Sequence, residues 1–118
     1  MDGLRFLCKA GLRSLGAICF VSALSFAAAD PTVAAGENLF KSHCVLCHGT
    51  DATGNTTMGK QLKARNLHSS VVQKKSDAEL KHIITDGEGN MPPFSAQLTS
   101  AQIDELVAYV RQLGKSKK

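Results

Sequence analysis

The chain has 118 residues, of which 43% are hydrophobic, with 14 basic and 10 acidic residues and no tryptophan. This length allows a single domain with a modest core. A net charge of +4 is too small to indicate a nucleic-acid partner, and part of it lies close to the N-terminus.

The N-terminus has the layout of a secretory signal peptide. Arg5, Lys9 and Arg13 form a positive region, and residues 15–28 follow without a charge. Small residues at positions 27 and 29 suit a signal peptidase, so residues 1–29 are predicted to be removed after Ala29, with export to the periplasm. The alternative is an uncleaved anchor helix, although the apolar run is shorter than the ~20 residues that span a bilayer.

Removal of this leader leaves one domain over residues 30–118. Three basic residues and one acidic residue precede position 30, so 11 basic and 9 acidic residues remain. Cys8 and Cys19 leave with the leader, and only Cys44 and Cys47 stay. A small secreted domain built on disulfides needs more than one pair, so a disulfide framework is excluded.

The spacing of apolar residues predicts a first helix over residues 31–44. Gly36 is costly inside it, by about 1 kcal/mol relative to alanine, unless another helix passes close to its backbone. Residues 49–67 are polar and contain three glycines, which predicts a loop, and a short helical turn is predicted near residues 69–73.

Two capping boxes mark the later helices. One begins at Ser76, and its helix is predicted to end at Asp86 and Gly87. The other begins at Thr99 and starts the last helix, for which Gly114 is the predicted C-terminal cap. No segment has a persuasive strand pattern, so the fold class is predicted to be all-α, with three main helices joined by structured loops.

The stretch Cys44-Val45-Leu46-Cys47-His48 reads C-x-x-C-H, the attachment sequence of a c-type haem. Cys44 and Cys47 are predicted to bind one haem c through thioether bonds, with His48 as the proximal axial iron ligand. A thioredoxin-like redox pair would need preceding strands. A zinc site would need two further ligands, which only scattered histidines could supply.

Met91 is the predicted distal iron ligand. A thioether binds iron weakly, so its backbone must be held, and Pro92 and Pro93 restrict the chain directly after it. Gly87 and Gly89 allow a sharp turn before it. The other candidates are considered weaker: Met58 is close to His48 in sequence, and the remaining histidines are His43, His68 and His82, of which the last two are predicted to be exposed.

The Cys44–Gly49 motif, the segment Gly89-Asn90-Met91-Pro92-Pro93-Phe94 and the amphipathic last helix together resemble class I cytochromes c. The likeness is strongest to small bacterial monohaem and cytochrome c6-like members. It implies a cytochrome c fold wrapped around one covalently bound haem. It also implies that Gly36, Phe40 and Tyr109 meet where the first and last helices cross. The candidates for the haem wall are Leu67, Leu80, Ile84 and Phe94.

Two departures from this family stand out. No proline follows the motif before Pro92 to supply the carbonyl that many members offer to the proximal histidine. The chain also lacks the tryptophan that contacts the haem propionates in such proteins. The candidates to replace it are Lys60, Lys63, Arg65 and Asn66.

These features predict a periplasmic single-electron carrier rather than an enzyme. With both axial positions filled, the iron offers no site to a small-molecule substrate. Redox partner proteins are expected to dock transiently at the haem edge of a monomer. Membrane contact is expected only through a partner complex or an uncleaved leader. One alternative is a haem-bearing subunit or domain of a larger respiratory oxidase or dehydrogenase. A weaker alternative is a pentacoordinate haem enzyme or gas sensor.

Overall fold

The computed structural model describes residues 30–116. The predicted signal peptide therefore lies outside the described residues. This described part of the chain contains six helices: α1 (Pro31–His43), α2 (Val45–His48), α3 (Thr57–Leu62), α4 (Ser70–Gln73), α5 (Asp77–Asp86) and α6 (Ser100–Lys115).

The all-α prediction is confirmed. The described residues contain no strand, only an isolated antiparallel bridge between Glu88 and Met91. The three long helices α1, α5 and α6 are the three predicted ones, and both capping boxes are present at Ser76 and Thr99. None of the helices in residues 30–116 is long and apolar enough to cross a membrane.

Two secondary-structure predictions were wrong. Residues 57–62 were expected to be loop but form α3, because the Thr56 hydroxyl accepts the N–H of Gly59 and starts the helix. Gly114 was expected to end the last helix, but α6 continues through it to Lys115. At Gly114 the side chain of Gln73 occupies the space that a Cβ would fill, at 2.3 Å, so this glycine makes room for a neighbour.

The contact between α1 and α6 organises the domain. A Cβ on Gly36 would lie 2.0 Å from the Glu105 carbonyl oxygen and 2.9 Å from the Tyr109 Cβ, so only glycine allows this approach. One turn further along each helix, the rings of Phe40 and Tyr109 pack with centroids 5.2 Å apart. The predicted meeting of these three residues is confirmed, and it explains the costly glycine in α1.

The core is small and lies between α6 and the rest of the chain. One face of α6 contributes four of the ten buried hydrophobic residues: Ile103, Leu106, Val107 and Val110. Each such side chain stabilises the fold by about 1.5–3 kcal/mol when fully buried. The segment between α2 and α5 adds only three buried hydrophobic residues, Ala52, Leu67 and Val72.

Polar side chains bind that segment to α6. Arg111 of α6 donates to Asp77 Oδ1 at 2.7 Å and to the carbonyl oxygen of Gln73 at 2.9 Å, and it also contacts the Lys75 carbonyl. In return, Gln73 Nε2 donates to the carbonyl oxygens of Leu67, at 2.7 Å, and Val110, at 3.0 Å. The bond from Arg111 satisfies the Gln73 carbonyl at the end of α4, and the whole set of hydrogen bonds compensates for the thin apolar packing.

His68 belongs to the same set of contacts, and its predicted exposure was wrong. The ring is half-buried, with Nδ1 2.9 Å from the Leu113 carbonyl oxygen and Nε2 2.9 Å from the Asp51 carbonyl oxygen. The ring thus joins the loop after α2 to the end of α6. A sequence pattern could not indicate this, because both partners are backbone atoms that lie far from His68 in the chain.

The Gly36→Ala substitution should destabilise the protein by about 1–3 kcal/mol, because the new methyl group forces α1 and α6 apart. Denaturant unfolding of the purified protein measures this change. Ala34→Ser, at an exposed position of the same helix, is the matched control and should change stability by less than about 0.5 kcal/mol. Equal stability of the two variants would contradict the close approach at Gly36.

Candidate haem site

A single cavity of about 420 Å³ brings the predicted site residues together. Its volume is within the range of about 300–1,000 Å³ typical of cofactor sites. Cys44, Cys47, His48 and Met91 all line it. The four predicted wall residues line it as well: Leu67, Leu80, Ile84 and Phe94. The lining is mostly apolar, as a haem macrocycle requires.

The two thiols are carried by the one-turn helix α2 and the residue before it. They are three positions apart, so they lie on the same side of a helical turn. Neither forms a disulfide, and both are half-buried. Burial, with a smaller contribution from Cys47, raises the pKa of the Cys44 thiol to about 11. Both cysteines are therefore unpaired thiols that line the cavity.

His48 follows at the end of α2 with its ring fixed by a backbone group. Its Nδ1 is 3.1 Å from the carbonyl oxygen of Arg65. Burial lowers the pKa of His48 more than this hydrogen bond raises it, so the neutral imidazole is favoured. When Nδ1–H donates to Arg65, the lone pair is on Nε2, the form that binds a metal. Arg65 therefore supplies the carbonyl that a proline supplies in many class I cytochromes c.

The backbone of α2 is held from its other side by Thr56 and Gly59. The Thr56 hydroxyl is 2.9 Å from the carbonyl oxygens of both Leu46 and Cys47 and accepts the Gly59 N–H at 2.8 Å. A Cβ on Gly59 would lie 2.2 Å from the Cys47 carbonyl oxygen. Only glycine at this position lets α3 approach α2, so α3 fixes the peptide that leads into His48.

Met91 is held by a tight turn in the segment between α5 and α6. The Glu88 N–H donates to the Met91 carbonyl oxygen at 3.2 Å, and the Met91 N–H donates to the Glu88 carbonyl oxygen at 3.0 Å. Gly87 and Gly89 both have positive φ, of 79° and 59°, as the predicted sharp turn requires. A Cβ on Gly87 would lie 2.5 Å from the Met91 carbonyl oxygen. The backbone of Met91 is thus fixed by contacts within its own turn.

The weaker candidates for the distal position lie elsewhere, with one exception. Met58 is 38% exposed and is not among the residues that line the cavity. His82 is exposed and pairs with Asp86, with Nδ1 2.7 Å from Oδ2. His43 does line the cavity, next to Cys44 at the end of α1. Within residues 30–116, no three His, Cys, Asp or Glu side chains are grouped to hold a metal ion, as a zinc site would require.

The structure also reduces the number of candidate residues for contact with the haem propionates. Lys63 and Arg65 line it, whereas Lys60 and Asn66 do not. Asn66 instead accepts the backbone N–H of His68 through Oδ1, at 2.9 Å. Lys75, which was not among the predicted candidates, lines the cavity too. The positive charge at the rim suits the carboxylates of a haem.

Comparison with known proteins agrees with this geometry. A solved c-type cytochrome, KustC0563, superposes with a TM-score of 0.61 at 35% sequence identity, over 66% of this chain and 95% of that one. Cbb3-type cytochrome c oxidase subunit FixP of Rhizobium etli is 35% identical over 83 residues, which are 69% of this chain and 28% of FixP. Subunit CcoP of Rubrivivax gelatinosus is 37% identical over 89 residues, 73% of this chain and 28% of CcoP.

The fold and the cavity are those of a c-type cytochrome of the class I type, as the sequence resemblance indicated. Residues 31–110 match the family described as cytochrome C oxidase, cbb3-type, subunit III, and the chain belongs to that family. Membership implies a covalently bound haem c. The chain spans less than a third of the length of the two curated relatives named above.

Thr56→Val should disturb the site as well as the fold. It removes both the N-cap of α3 and the donor to the α2 carbonyls, whereas Thr99→Val removes only the N-cap of α6. We expect each variant to lose about 1 kcal/mol of stability. Only Thr56→Val should also broaden the low-spin electron paramagnetic resonance signal of the ferric haem protein, because the His48 ring is then less uniformly oriented. Thr56→Ser should restore the narrow signal; equal spectra for both valine variants would contradict this role.

Proposed function

We propose that this chain transfers single electrons through one covalently bound haem c as part of a cbb3-type cytochrome c oxidase complex. The observation that carries the proposal is the cavity in which both thiols, His48 and Met91 meet. The names of the relatives, subunits FixP and CcoP of such oxidases, favour this alternative over the free carrier that was the first expectation. One C-x-x-C-H motif in the sequence supports one haem.

Each site residue has a defined task in this proposal. Cys44 and Cys47 would hold the group covalently, and His48 and Met91 would bind its iron. When bound, the haem supplies a one-electron couple between ferric and ferrous iron. With Met91 as an iron ligand, the haem would offer no open iron site to a substrate, so the chain would act as an electron-transfer component and not as an enzyme by itself.

The proposed compartment is the periplasm. The leader over residues 1–29, with small residues before the expected cleavage after Ala29, supports export. Contact with a membrane would then come through the oxidase complex or through a leader that stays attached. These assignments rest on the sequence, because residues 1–29 lie outside the described part of the chain.

A free, monomeric carrier is the second candidate. It is favoured by the coverage of 95% of the solved c-type cytochrome KustC0563. The aligned residues of this chain therefore correspond to nearly the whole of that cytochrome chain. In this case redox partners would dock transiently at the haem edge, and such encounters bury little area.

Met91→Ala should open the distal position of the holo-protein. We expect the reduced form to bind carbon monoxide, and the midpoint potential to fall by on the order of 100 mV, because Met/His ligation raises the potential. Visible spectroscopy and redox titration measure both changes. Met58→Ala is the matched control and should leave both unchanged. Carbon monoxide binding to the untreated wild-type protein would contradict Met91 as the distal ligand.

The two candidate functions differ in how the protein associates with an oxidase. Purified holo-protein is mixed with a cbb3-type oxidase core that lacks its CcoP subunit, then passed over a size-exclusion column while oxygen consumption is recorded. A subunit should co-elute stoichiometrically and restore consumption. A free carrier should restore consumption without co-eluting, with a rate that falls as salt screens the docking. If the protein neither co-elutes with the oxidase core nor restores oxygen consumption, both candidate functions are contradicted.

A further inference from the structure

Arg65 contacts both sides of the iron site through different groups. Its carbonyl oxygen lies 3.1 Å from Nδ1 of His48, the residue proposed to bind the iron from one face. Its guanidinium Nη2 lies 3.4 Å from Glu88 Oε2, in the turn that presents Met91. A proline at this position could supply the carbonyl, but it could not make the second contact.

A contact that holds Glu88 in place also holds Met91 in place. The two residues exchange backbone hydrogen bonds of 3.2 and 3.0 Å, so the turn between them moves as one unit. The outer side of this turn is open, since a Cβ built on Gly89 would have no neighbour within 4 Å. The position of the turn therefore depends on contacts at its ends and on its polar side chains.

Apart from α1, which contacts both α2 and α6, the two walls of the cavity are supported by different helices. On one side α3 packs on α2, and on the other α5 packs on α6. Two side-chain contacts join the end of α3 and the residues that follow it to the Met91 turn. One is the Arg65–Glu88 ion pair, and the other runs from Asn90 Nδ2 to the Leu62 carbonyl oxygen at 3.2 Å. Arg65 is the member of this pair that also fixes His48.

We propose that Arg65 is a positioning residue for Met91. Through Glu88, its guanidinium holds the turn with the distal ligand against the segment that orients the proximal histidine. Arg65 thus fixes the position of one proposed iron ligand relative to the other. Its carbonyl contacts His48, and its side chain holds the turn that contains Met91. The proposal rests on the proposed function, in which Met91 binds the iron.

The expected effect is modest and measurable. Both side chains are about half exposed, 54% for Arg65 and 44% for Glu88, and one nitrogen faces one oxygen. An ion pair of this kind shifts an equilibrium by about two- to five-fold. The equilibrium that reports on it is the displacement of Met91 from the iron by an added ligand, because the thioether is the weakest bond in the site.

The experiment titrates the ferric holo-protein, as the full chain, with imidazole. It follows the loss of the far-red absorption band that reports the bond between the haem iron and the Met91 sulfur. Arg65→Gln and Glu88→Gln should each bind imidazole about two- to five-fold more tightly than wild type. The double variant should bind no more tightly than either single variant. The charge-reversed pair, Arg65→Glu with Glu88→Arg, should return the affinity to the wild-type value. All of these variants keep the backbone carbonyl that His48 uses.

The ion pair between Lys81 Nζ and Asp104 Oδ1 is the matched control. It is 2.6 Å long, has similar exposure of 37% and 57%, and joins α5 to α6 without reaching the Met91 turn. Lys81→Gln and Asp104→Asn should leave imidazole affinity unchanged. Urea unfolding should change by the same small amount in all four single variants, which separates positioning of Met91 from a general loss of stability.

Three results would overturn the proposal. Unchanged imidazole affinity in Arg65→Gln would show that the guanidinium does not act on Met91. Additive effects of the two single variants, with no recovery on charge reversal, would show that Arg65 acts on another group, such as a haem carboxylate. A wild-type spectrum without the far-red band would instead refute Met91 ligation, and this proposal would fail with it.

Discussion

The close approach of α1 to α6 is the constraint on which the haem site depends. Gly36 lets α6 pass within contact of the α1 backbone, and Phe40 and Tyr109 pack beside it. α1 leads directly into the two thiols and His48, while Leu106 and Val110 of α6 form part of the cavity. A shift of this crossing would therefore change the distance between the attachment turn and the wall that faces it.

Hydrogen bonds to backbone groups hold both residues that are proposed to bind the iron. His48 is fixed by the carbonyl of Arg65, and the α2 carbonyls by Thr56. Met91 is fixed by reciprocal hydrogen bonds with Glu88. This arrangement suits a chain with few aromatic residues and a thin core, because hydrogen bonds between nearby backbone groups orient a ligand without a large apolar shell. Redox proteins benefit, since a fixed ligand set changes little between oxidation states.

The sequence predicted what local patterns encode. Spacing and caps identified α1, α5 and α6, the C-x-x-C-H motif identified the attachment turn, and glycines and prolines identified the turn at Met91. It did not predict the contacts made by backbone carbonyls, because any residue can offer one. Arg65 as the acceptor for His48 and the two partners of His68 are of this kind. α3 was missed because Gly59 weakens the helical pattern, although its small size is what brings α3 onto α2.

The α1–α6 contact also has a consequence for how the chain folds. Gly36 and Glu105 are 69 positions apart in the sequence, and closing a flexible loop of that length carries a length-dependent entropic cost of roughly 4 kcal/mol. The cost arises before the core contacts of α6 form, so few local contacts reward partial closure. Assembly of the cavity and completion of the fold are therefore one cooperative event, which depends on both ends of the domain being present together.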